Sequence, residues 1–432
     1  MSSALTLQPG GPLRGQLTVP GDKSISHRAL IFGALAEGTS SFEGLSDGAD
    51  VAATRHCLAA LGVGFEDHSE GLRVQGVGLQ GLKAPAEALD CANSGTTLRL
   101  LMGVLAAQSF ASRLIGDVSL SRRPMGRVAE PLRQMGAEIG LTSERFAPVQ
   151  LQPARLRPLD YVLPVASAQV KSALLLAGLC AGVPVSLSGA LASRDHSERL
   201  LPDFGVQLLQ RPDQIGLQPQ PLQACALKIP GDFSSAAFWL AGALLLPGSE
   251  LLLEGVSLNP TRTGLLRALQ QMGASIEVQS QSQQSESWGS LRVRSGPLQG
   301  IQLDEAEIPF IIDELPLLML LATQAEGETL VRGAAELRVK ESDRLAVMAD
   351  NLQRMGVQLE LFEDGFAIRG PQPLQGAALL AHHDHRIAMT MVLAALSARG
   401  PSRLQGAEVM AVSYPGFLAD LSRLQLSEEP LL

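Results

Sequence analysis

Apolar stretches rich in Ala, Leu and Met recur six times along the chain, and polar residues open each of them. Their first residues are Ser26, Thr96, Gln169, Ser234, Asp313 and Asp384. These starts lie 70, 73, 65, 79 and 71 residues apart, which indicates an internal repeat. Because each stretch is apolar on nearly every helical face, the pattern predicts six buried helices.

A second helix is predicted after most of these stretches, because the same ending recurs. This ending is an apolar residue, then Gly, then any residue, then another apolar residue. The glycines of this ending are Gly62, Gly136, Gly205, Gly273 and Gly356. Glycine just beyond a helix supplies the left-handed conformation that caps its last turn. The sixth copy, LADLSRLQL, is truncated. Each repeat should therefore hold two helices and several short strands, which places the chain in the α/β class.

One hexapeptide occurs in two near-copies, VPGDKS at 19–24 and IPGDFS at 229–234. Each copy marks a place where the chain could cross between domains through a Pro-Gly turn. We therefore predict one domain of residues 21–230 and a second of residues 1–20 and 231–432, with three repeats each. If equivalent helices direct their N-termini towards one cleft, their dipoles would together favour an anion.

Composition narrows the class of protein and its partners. The 432 residues are 46% hydrophobic and 18% charged, which is typical of a globular chain, and the net charge of −9 argues against nucleic acid as a partner. No apolar run reaches the roughly 18 residues needed to span a bilayer, and the N-terminus lacks the features of a signal peptide. Four scattered cysteines without CxxC spacing indicate a reducing compartment. We expect a cytoplasmic protein without a membrane partner.

The polar openings of the predicted helices contain the candidate chemistry. In GDKSISHRAL, residues 21–30, Lys23 and Arg28 add full charges to a helix N-terminus and so form a cradle for an anion. In CANSGTTLR, residues 91–99, Gly95 would let a ligand approach the backbone closely. SLSRRPMGR, residues 119–127, contributes three arginines, whose planar donors suit carboxylate and phosphate.

Lysine is rare in this chain, and three of the five lysines lie in such motifs: Lys23, Lys171 and Lys340. We interpret this as a local basic pocket for a small anion. Ser167, Gln169 and Lys171 share the first turn of an otherwise apolar helix, and burying Lys171 without an anion would be costly. The roles of Lys171, Arg194 and His385 stay open at this point.

Carboxylates cluster with cations in the second half of the chain. Asp313 follows two isoleucines, so partial burial should raise its pKa and suit a general base, whereas Glu314 fits a simple acid at a helix start. In LRVKESDRL, residues 337–345, a helix would place Lys340 and Arg344 on one face with Glu341 beside them.

The segment AHHDHRIAM offers three histidines together with Asp384 and Arg386. Three histidines suggest a metal site, but His382 and His383 are adjacent and should point apart. We therefore predict no metal here.

Seven motifs, taken in order, resemble those of the EPSP synthases (3-phosphoshikimate 1-carboxyvinyltransferases) of the enolpyruvyl transferase family. They are GDKSISHR, NSGTTLR, SRRPMGR, SAQVK, IDELP, RVKESDRL and DHRIAM, and they span almost the whole chain. The resemblance implies an α/β (α+β) fold of two domains, each with three βαβαββ repeats around buried helices. It also implies transfer of the enolpyruvyl group of phosphoenolpyruvate to the 5-hydroxyl of shikimate 3-phosphate, with release of phosphate and without a cofactor, by a monomer.

The same resemblance implies roles for individual residues. Asp313 would accept the proton of the attacking hydroxyl, Glu341 would protonate the methylene carbon, and Lys23 would complete the catalytic set. The residues implied to bind shikimate 3-phosphate are Lys23, Ser24, Arg28, Ser167, Gln169, Asp313 and Lys340. Those implied to bind phosphoenolpyruvate are Lys23, Gly95, Arg123, Gln169, Arg344 and Arg386. Domain 21–230 would provide the shikimate 3-phosphate side, and the herbicide glyphosate would occupy the phosphoenolpyruvate pocket.

Two departures from the family pattern and two alternative functions remain open. Ala92 stands where the family usually has glycine, and Ala168 replaces a serine of many members. The sister UDP-N-acetylglucosamine enolpyruvyl transferase is one alternative, although it typically carries a reactive cysteine near SRRPMG and this chain has none there. A non-catalytic protein that binds phosphorylated ligands is the other, against which the presence of both Asp313 and Glu341 argues.

Overall fold

The computed structural model describes residues 4–69, 71–281 and 285–426. Its α-helices are α1 (Lys23–Leu35), α2 (Ala49–Ala60), α3 (Gly95–Leu105), α4 (Gly126–Gln134), α5 (Ala168–Ala181), α6 (His196–Leu200), α7 (Phe233–Leu245), α8 (Gly264–Gln271), α9 (Ile308–Ile311), α10 (Leu315–Ala322), α11 (Arg344–Arg354), α12 (His385–Leu396) and α13 (Phe417–Leu426). Short 3-10 helices cover Leu120–Arg122, Leu201–Phe204, Glu305–Glu307, Ala335–Val339 and Ala407–Val412.

The strands are short and lie between these helices. They are β1 (Leu5–Leu7), β2 (Arg14–Thr18), β3 (Ala36–Glu43), β4 (Gly64–His68), β5 (Gly71–Val77), β6 (Leu89–Asp90), β7 (Ser112–Ile115), β8 (Glu138–Thr142), β9 (Phe146–Gln152), β10 (Leu159–Leu163), β11 (Val185–Gly189), β12 (Leu208–Arg211), β13 (Gln214–Leu217), β14 (Leu222–Gln223), β15 (Ala226–Lys228), β16 (Glu250–Ser257), β17 (Ser275–Gln281), β18 (Trp288–Arg294), β19 (Gly327–Val331), β20 (Glu360–Phe362), β21 (Gly365–Gly370), β22 (Ala378–Leu380) and β23 (Ser402–Gln405).

The chain forms two compact units. One, termed the inserted unit, is Gly21–Ile229, and the other, termed the discontinuous unit, joins Met1–Pro20 to Pro230–Leu432. The domain ranges expected from the sequence differ from this division by one residue, Pro230. The assignment of shikimate 3-phosphate to one of them stays a prediction.

The inserted unit repeats one βαβαββ plan. In the sheet β6-β7-β9-β8, the first two strands are parallel across α3, and β8 and β9 follow α4 as an antiparallel pair. The sheet β10-β11-β13-β12 has the same plan with α5 and α6. In the sheet of β3, β5 and β4, the parallel first strand comes from the far end of the unit, because β14 and β15 pair with β3.

The discontinuous unit follows the same plan with less regularity. Its sheet β17-β18-β16-β2 takes the parallel strand β2 from before the inserted unit. In the sheet β19-β21-β20, isolated parallel bridges, Gln299 with Glu326 and Gln302 with Leu330, take the place of the first strand. In the last sheet, β1 pairs antiparallel with β23, and α13 ends the described chain. This last repeat is shorter, as the truncated sixth copy predicted.

The first helix of each repeat is the core of its unit. Every residue of α7 and of α12 is buried, as are Val170 to Cys180 of α5. The prediction of helices that are apolar on nearly every face is therefore confirmed. The glycines after the second helices adopt the left-handed region, with φ of 92° at Gly62, 101° at Gly136, 78° at Gly205, 82° at Gly273 and 91° at Gly356, which confirms the predicted caps.

His27, in the middle of α1, is fully buried, and its Nδ1 lies 2.6 Å from Thr54 Oγ1. Burial lowers its pKa to about 3; Asp50 opposes this shift, while Lys23 and Arg28 add to it. The unfolded chain, with a histidine pKa near 6.5, therefore binds a proton between pH 6.5 and pH 3 that the folded chain does not. The stability contributed by neutral His27 is present above pH 6.5 and is lost as the pH falls below it.

Replacing His27 with Gln should make the free energy of unfolding less sensitive to acid. Between pH 7 and pH 5, the natural chain should lose about 2 kcal/mol more than the variant, because glutamine binds no proton in either state. Urea titrations at the two pH values measure the difference. The exposed His56 of α2 is the matched control, and His56→Gln should lose as much stability as the natural chain. Equal acid sensitivity of the His27 variant and the natural chain would contradict the prediction.

Candidate active site

The N-terminus of α1 carries the first candidate group. Asp22 caps this helix by accepting a hydrogen bond from Ile25 N at 2.9 Å, and Lys23 is the first helical residue. Lys23 Nζ lies 3.0 Å from Asp50 Oδ2. The ammonium is therefore held at the helix start by a carboxylate of α2, next to the first backbone N–H groups of the helix, which have no acceptor within the helix and attract anions.

The start of α3 forms a second candidate group. Ser94 caps the helix and Gly95 is its first residue, with a backbone outside the left-handed region. A methyl group on Gly95 would lie 3.0 Å from Arg99 Nη1 and 3.5 Å from Arg123 Nη1. A side chain at this position would therefore enter the space in front of two guanidinium groups, and no positive φ requires glycine here.

Side-chain hydrogen bonds connect the starts of α3 and α5. Arg99 Nη1 donates to Gln169 Oε1 at 2.8 Å, and Gln169 Nε2 donates to Thr96 Oγ1 at 3.1 Å. Arg123 Nη2 donates to Asn93 Oδ1 at 2.6 Å. The structure thus brings together three of the predicted candidates, Gly95, Arg123 and Gln169. Arg99 was missed, because an arginine inside an apolar helix gave no separate signal.

The start of α5 differs from the expectation for Lys171. Ser167 caps the helix, accepting from Val170 N, and Ala168 is the first helical residue. Lys171 is buried, but its Nζ lies 2.6 Å from Glu198 Oε1 and also donates to Leu191 O at 3.2 Å. The prediction that buried Lys171 calls for an anionic ligand is wrong, because a carboxylate of α6 supplies the negative charge.

Arg28 is also buried, one turn after Lys23. Its Nε and Nη2 donate to Ser197 Oγ and Ser172 Oγ at 2.7 and 2.8 Å, and its Nη1 donates to Ser24 O at 2.9 Å. The guanidinium plane is therefore fixed by oxygens from α1, α5 and α6. Sequence reasoning found Arg28 but could not find the two serines that hold it.

Asp313 is the centre of the candidate group in the discontinuous unit. Its Oδ1 lies 3.1 Å from Arg344 Nη1 and 3.4 Å from Lys340 Nζ. Its Oδ2 lies 3.9 Å from Arg386 Nη2 and 4.0 Å from Arg262 Nη1. Asp313 is buried, as predicted. The expectation from burial alone omitted these four cations, which favour the ionised carboxylate that a base requires.

Arg344 is 1% exposed and each of its three guanidinium nitrogens contacts a carboxylate. Nε lies 2.7 Å from Asp384 Oδ2, Nη1 lies 3.1 Å from Asp313 Oδ1, and Nη2 lies 2.6 Å from Glu341 Oε2. Burial acts to lower the pKa of Arg344, but the carboxylates of Asp384, Glu341 and Asp313 outweigh it and raise the pKa. The guanidinium is permanently charged and organises three acids around it.

Glu314 does more than begin a helix. It is buried, and its Oε1 accepts from Arg386 Nη1 at 3.1 Å and from Ser234 Oγ. Arg262 Nη2 also donates to Ser234 Oγ. Sequence reasoning missed Glu314, Ser234 and Arg262 as site residues, because they lie far apart along two repeats and only the fold brings them together.

The segment around Lys340 departs from its predicted helix. Ala335–Val339 forms a 3-10 helix, Lys340 is extended with φ −80° and ψ −151°, and α11 begins only at Arg344. The prediction of Lys340 and Arg344 as neighbours on one helical face is therefore wrong. The physical reason is the cap: Asp343 Oδ1 accepts from Ala346 N at 3.0 Å, which starts the helix after it.

The histidine segment forms a tight turn before α12. His382 and His383 have φ of 50° and 57°, Asp384 N donates to Ala381 O at 3.0 Å, and Asp384 caps α12. Among the residues that the structure describes, no group of three or more His, Cys, Asp or Glu side chains could hold a metal ion.

The departure at Ala92 has a structural consequence. Its φ is 48°, in the left-handed region where a residue with a Cβ is strained by roughly 1–2 kcal/mol. Ala92 O accepts from Asp117 N at 2.8 Å, and Ala92 N donates to Asp90 Oδ1 at 2.8 Å. The turn before Asn93 is thus kept in the conformation that glycine would adopt without strain.

Comparison with known proteins assigns the chain and its fold to one family. A sequence model of the EPSP synthases (3-phosphoshikimate 1-carboxyvinyltransferases) matches residues 7–421. This chain belongs to the EPSP synthase family. The predicted family and its two-domain α/β fold are therefore confirmed, and the UDP-N-acetylglucosamine alternative is not supported.

Relatives of this EPSP synthase family member match it over nearly their full length. A protein of Synechococcus sp. (strain JA-3-3Ab) named 3-phosphoshikimate 1-carboxyvinyltransferase is 51% identical over 429 residues, covering 97% of this chain and 96% of its own. A protein of the same name from Acidithiobacillus ferrooxidans (strain ATCC 53993 / BNL-5-31) is 50% identical over 416 residues, covering 96% of both chains.

Solved structures of EPSP synthase and of a more distant enzyme share the fold. EPSP synthase from Acinetobacter baumannii has a TM-score of 0.87 and 44% identity, covering 98% of both chains. The enolpyruvyl transferase NikO from Streptomyces tendae has a TM-score of 0.78 at 19% identity, covering 98% of this chain and 97% of its own, which shows the common fold alone. Within the described residues, no helix is both long and apolar enough to cross a bilayer.

Proposed function

We propose that this chain transfers the enolpyruvyl group of phosphoenolpyruvate to the 5-hydroxyl of shikimate 3-phosphate and releases phosphate. The observation that carries the proposal is the buried carboxylate of Asp313, which lies within 3.4 Å of both Lys340 and Arg344, while Glu341 shares Arg344. One cation, Arg344, thus contacts both the carboxylate proposed to deprotonate the 5-hydroxyl, Asp313, and the carboxylate proposed to protonate the methylene carbon, Glu341. Membership of the EPSP synthase family supports the same reaction.

The residues divide between the two substrates. In this proposal, shikimate 3-phosphate is bound by Lys23, Ser24, Arg28, Ser167, Gln169, Asp313 and Lys340. Phosphoenolpyruvate is bound by Lys23, Gly95, Arg123, Gln169, Arg344 and Arg386. Both substrates are anions that repel each other, so cations and helix N-termini lower the barrier mainly by holding them together and in register.

In the proposed reaction, Asp313 accepts the proton of the 5-hydroxyl as its oxygen bonds to the central carbon of phosphoenolpyruvate. Glu341 donates a proton to the methylene carbon, which becomes a methyl group. Loss of phosphate, with return of one methyl proton to a base, restores the double bond in the product. Atoms and charges balance without a cofactor, and Lys23 stabilises the negative charge near the reacting centre.

The three contacts of Arg344 add a step to this proposal. Every nitrogen of its guanidinium already faces a carboxylate, so an arriving anion competes with these carboxylates for the five N–H donors. Glu341 is the most exposed of the three, at 19% of its side chain against 10% for Asp313 and 0% for Asp384. Glu341 is therefore the carboxylate that leaves, and, away from the guanidinium, it binds the proton that it later donates more readily.

Mixing the two substrates with the chain tests the proposal directly. Inorganic phosphate should appear, together with a new vinyl ether signal in proton NMR, only when shikimate 3-phosphate and phosphoenolpyruvate are both present. UDP-N-acetylglucosamine in place of shikimate 3-phosphate should release none. Binding of both substrates without release of phosphate would identify a non-catalytic binding protein instead.

Replacing Gly95 with Ala should weaken phosphoenolpyruvate binding and spare shikimate 3-phosphate. The added methyl group would stand 3.0 Å from Arg99 Nη1 and 3.5 Å from Arg123 Nη1, where the smaller anion is proposed to bind. We expect the KM for phosphoenolpyruvate to rise about tenfold, the effect of losing roughly one charged hydrogen bond. Inhibition by glyphosate should weaken further, because the inhibitor is longer than the substrate.

Steady-state kinetics with each substrate varied in turn measure this effect. Gly126→Ala is the control, because a methyl group there meets no atom within 4 Å. An equal loss of affinity for both substrates with a lowered melting temperature would show that Gly95 serves the fold alone.

We further propose a monomer in the cytoplasm. The four cysteines support a reducing compartment, since Cys57, Cys91 and Cys180 are buried free thiols and Cys225 is a partly buried one.

A further inference from the structure

Two neighbouring residues on α5 contact two neighbouring residues on α6. Lys171 Nζ lies 2.6 Å from Glu198 Oε1, and Ser172 Oγ lies 2.7 Å from Ser197 Oγ. All four side chains are buried, with exposed fractions of 1% to 4%. We term Lys171, Ser172, Ser197 and Glu198 the α5–α6 clamp. Family membership assigns none of these four residues a part in the reaction proposed above.

The two serine hydroxyls of the clamp have defined donor and acceptor roles. A guanidinium group can donate but not accept, so the oxygens of Ser197 and Ser172 both accept from Arg28. The hydroxyl of Ser172 donates to Ala168 O at 2.7 Å. The hydroxyl proton of Ser197 is therefore directed at Ser172 Oγ. The result is a directed series from Arg28 through Ser197 and Ser172 to a backbone carbonyl of α5.

A buried polar network of this kind is rigid when its donors and acceptors are matched. Ser197 and Ser172 fix two edges of the Arg28 guanidinium, and Ser24 O fixes Nη1 at 2.9 Å. Loss of one hydroxyl leaves a buried donor of Arg28 without that acceptor and frees the group to rotate. An arginine whose plane is fixed before the ligand arrives loses less entropy on binding.

We propose that Ser197 and Ser172 are positioning residues, which hold Arg28 in the orientation that binds shikimate 3-phosphate. The Lys171–Glu198 ion pair maintains the register of α6 that brings Ser197 to Arg28. This inference rests on the proposed function, in which Arg28 contacts that substrate. Neither serine touches the ligand, and both act through the arginine.

Replacing Ser197 with Ala tests the first part. The KM for shikimate 3-phosphate should rise on the order of tenfold, the effect of one hydrogen bond to a charged group, while the KM for phosphoenolpyruvate stays unchanged. Ser197→Thr keeps the hydroxyl and should restore most of the affinity, and Ser172→Ala should reproduce the loss. Ser40→Ala is the matched control, because Ser40 is buried, accepts from Cys225 N at 3.3 Å and belongs to the same unit.

A double-mutant cycle with Arg28→Gln separates positioning from a general effect on stability. In the Arg28→Gln background, Ser197→Ala should leave the KM for shikimate 3-phosphate unchanged, since the group that it positions is gone. An equal rise in both backgrounds would overturn the proposal. If Arg28→Gln alone leaves this KM unchanged, the proposed contact of Arg28 fails. If Arg28→Gln raises it and Ser197→Ala does not, only the positioning role fails.

The ion pair is tested by removing both charges. Glu198→Gln alone should lower the melting temperature strongly, because Lys171 is left as a buried charge. Lys171→Met with Glu198→Leu should recover the melting temperature, while the KM for shikimate 3-phosphate stays raised because the register of α6 is relaxed. Recovery of both quantities would restrict the ion pair to stability and overturn its part in the proposal.

Discussion

Asp313→Asn should bind both substrates and lose most of its turnover. Asparagine keeps the shape of the side chain but cannot accept the proton of the 5-hydroxyl, so kcat should fall by about 10²–10⁴-fold, as for loss of a general base. The variant also removes one negative charge from the surroundings of Arg344 and Lys340. Those cations are then less neutralised, which should maintain or improve the binding of anionic substrates.

Rapid-quench measurements of a single turnover, with both substrates saturating, report the chemical step for this variant. Equilibrium binding of shikimate 3-phosphate supplies the second measurement. Asp350→Asn is the control, because Asp350 forms a half-exposed ion pair with Arg354 in α11 and should leave kcat unchanged. Turnover of the Asp313 variant near that of the natural chain would assign the base to another group, and loss of binding together with turnover would indicate a structural role.

Arg344→Met should destabilise the protein more than any other single change considered. Methionine fills much of the same volume, but Asp384, Asp313 and Glu341 then face one another without their shared cation. Asp384 is fully buried, and leaving such a charge uncompensated costs about 3–5 kcal/mol of unfolding free energy. We expect a large fall in the urea midpoint at pH 7.

Acid should partly reverse this loss. In the variant, burial and mutual repulsion would raise the pKa values of the carboxylates above those of the unfolded chain. The folded variant then binds more protons than the unfolded one as the pH falls, so the stability deficit should be smaller at pH 5 than at pH 7. Arg354→Met removes an exposed ion pair and should cost less than about 1 kcal/mol at either pH. A deficit that grows with acid would contradict the assignment of Arg344 as the common counter-ion.

Several of the proposed site residues could be found from the sequence because their signal is local. Lys23, Gly95, Ser167 and Asp313 all lie where a polar segment opens an apolar helix, and a capped helix start is determined by a few neighbouring residues. The glycine caps were equally readable, since a left-handed residue at a helix end is a property of the backbone there.

The signals that failed were those that depend on distant partners. Lys171 has the sequence context of a ligand-binding lysine, but its counter-ion, Glu198, lies 27 positions further along the chain and on another helix. The expected rise in the pKa of Asp313 stays a prediction, but no local pattern showed that Arg262, from another repeat, and Arg344 would lie within 4.0 Å of its carboxylate. The residue pattern of one segment does not determine which charged side chain of a distant segment will lie against it in the fold.

The sequence by itself determined the repeat, the buried helices, the family and most of the residues proposed for the two substrates. These follow from hydrophobic periodicity and from short motifs, which act over a few turns of chain. Only the tertiary structure decided how the charges pair: Lys171 with Glu198, Arg28 with Ser172 and Ser197, and Arg344 with three carboxylates. Electrostatic energy depends on distance and burial in space, and both are fixed only when the repeats close around their common cores.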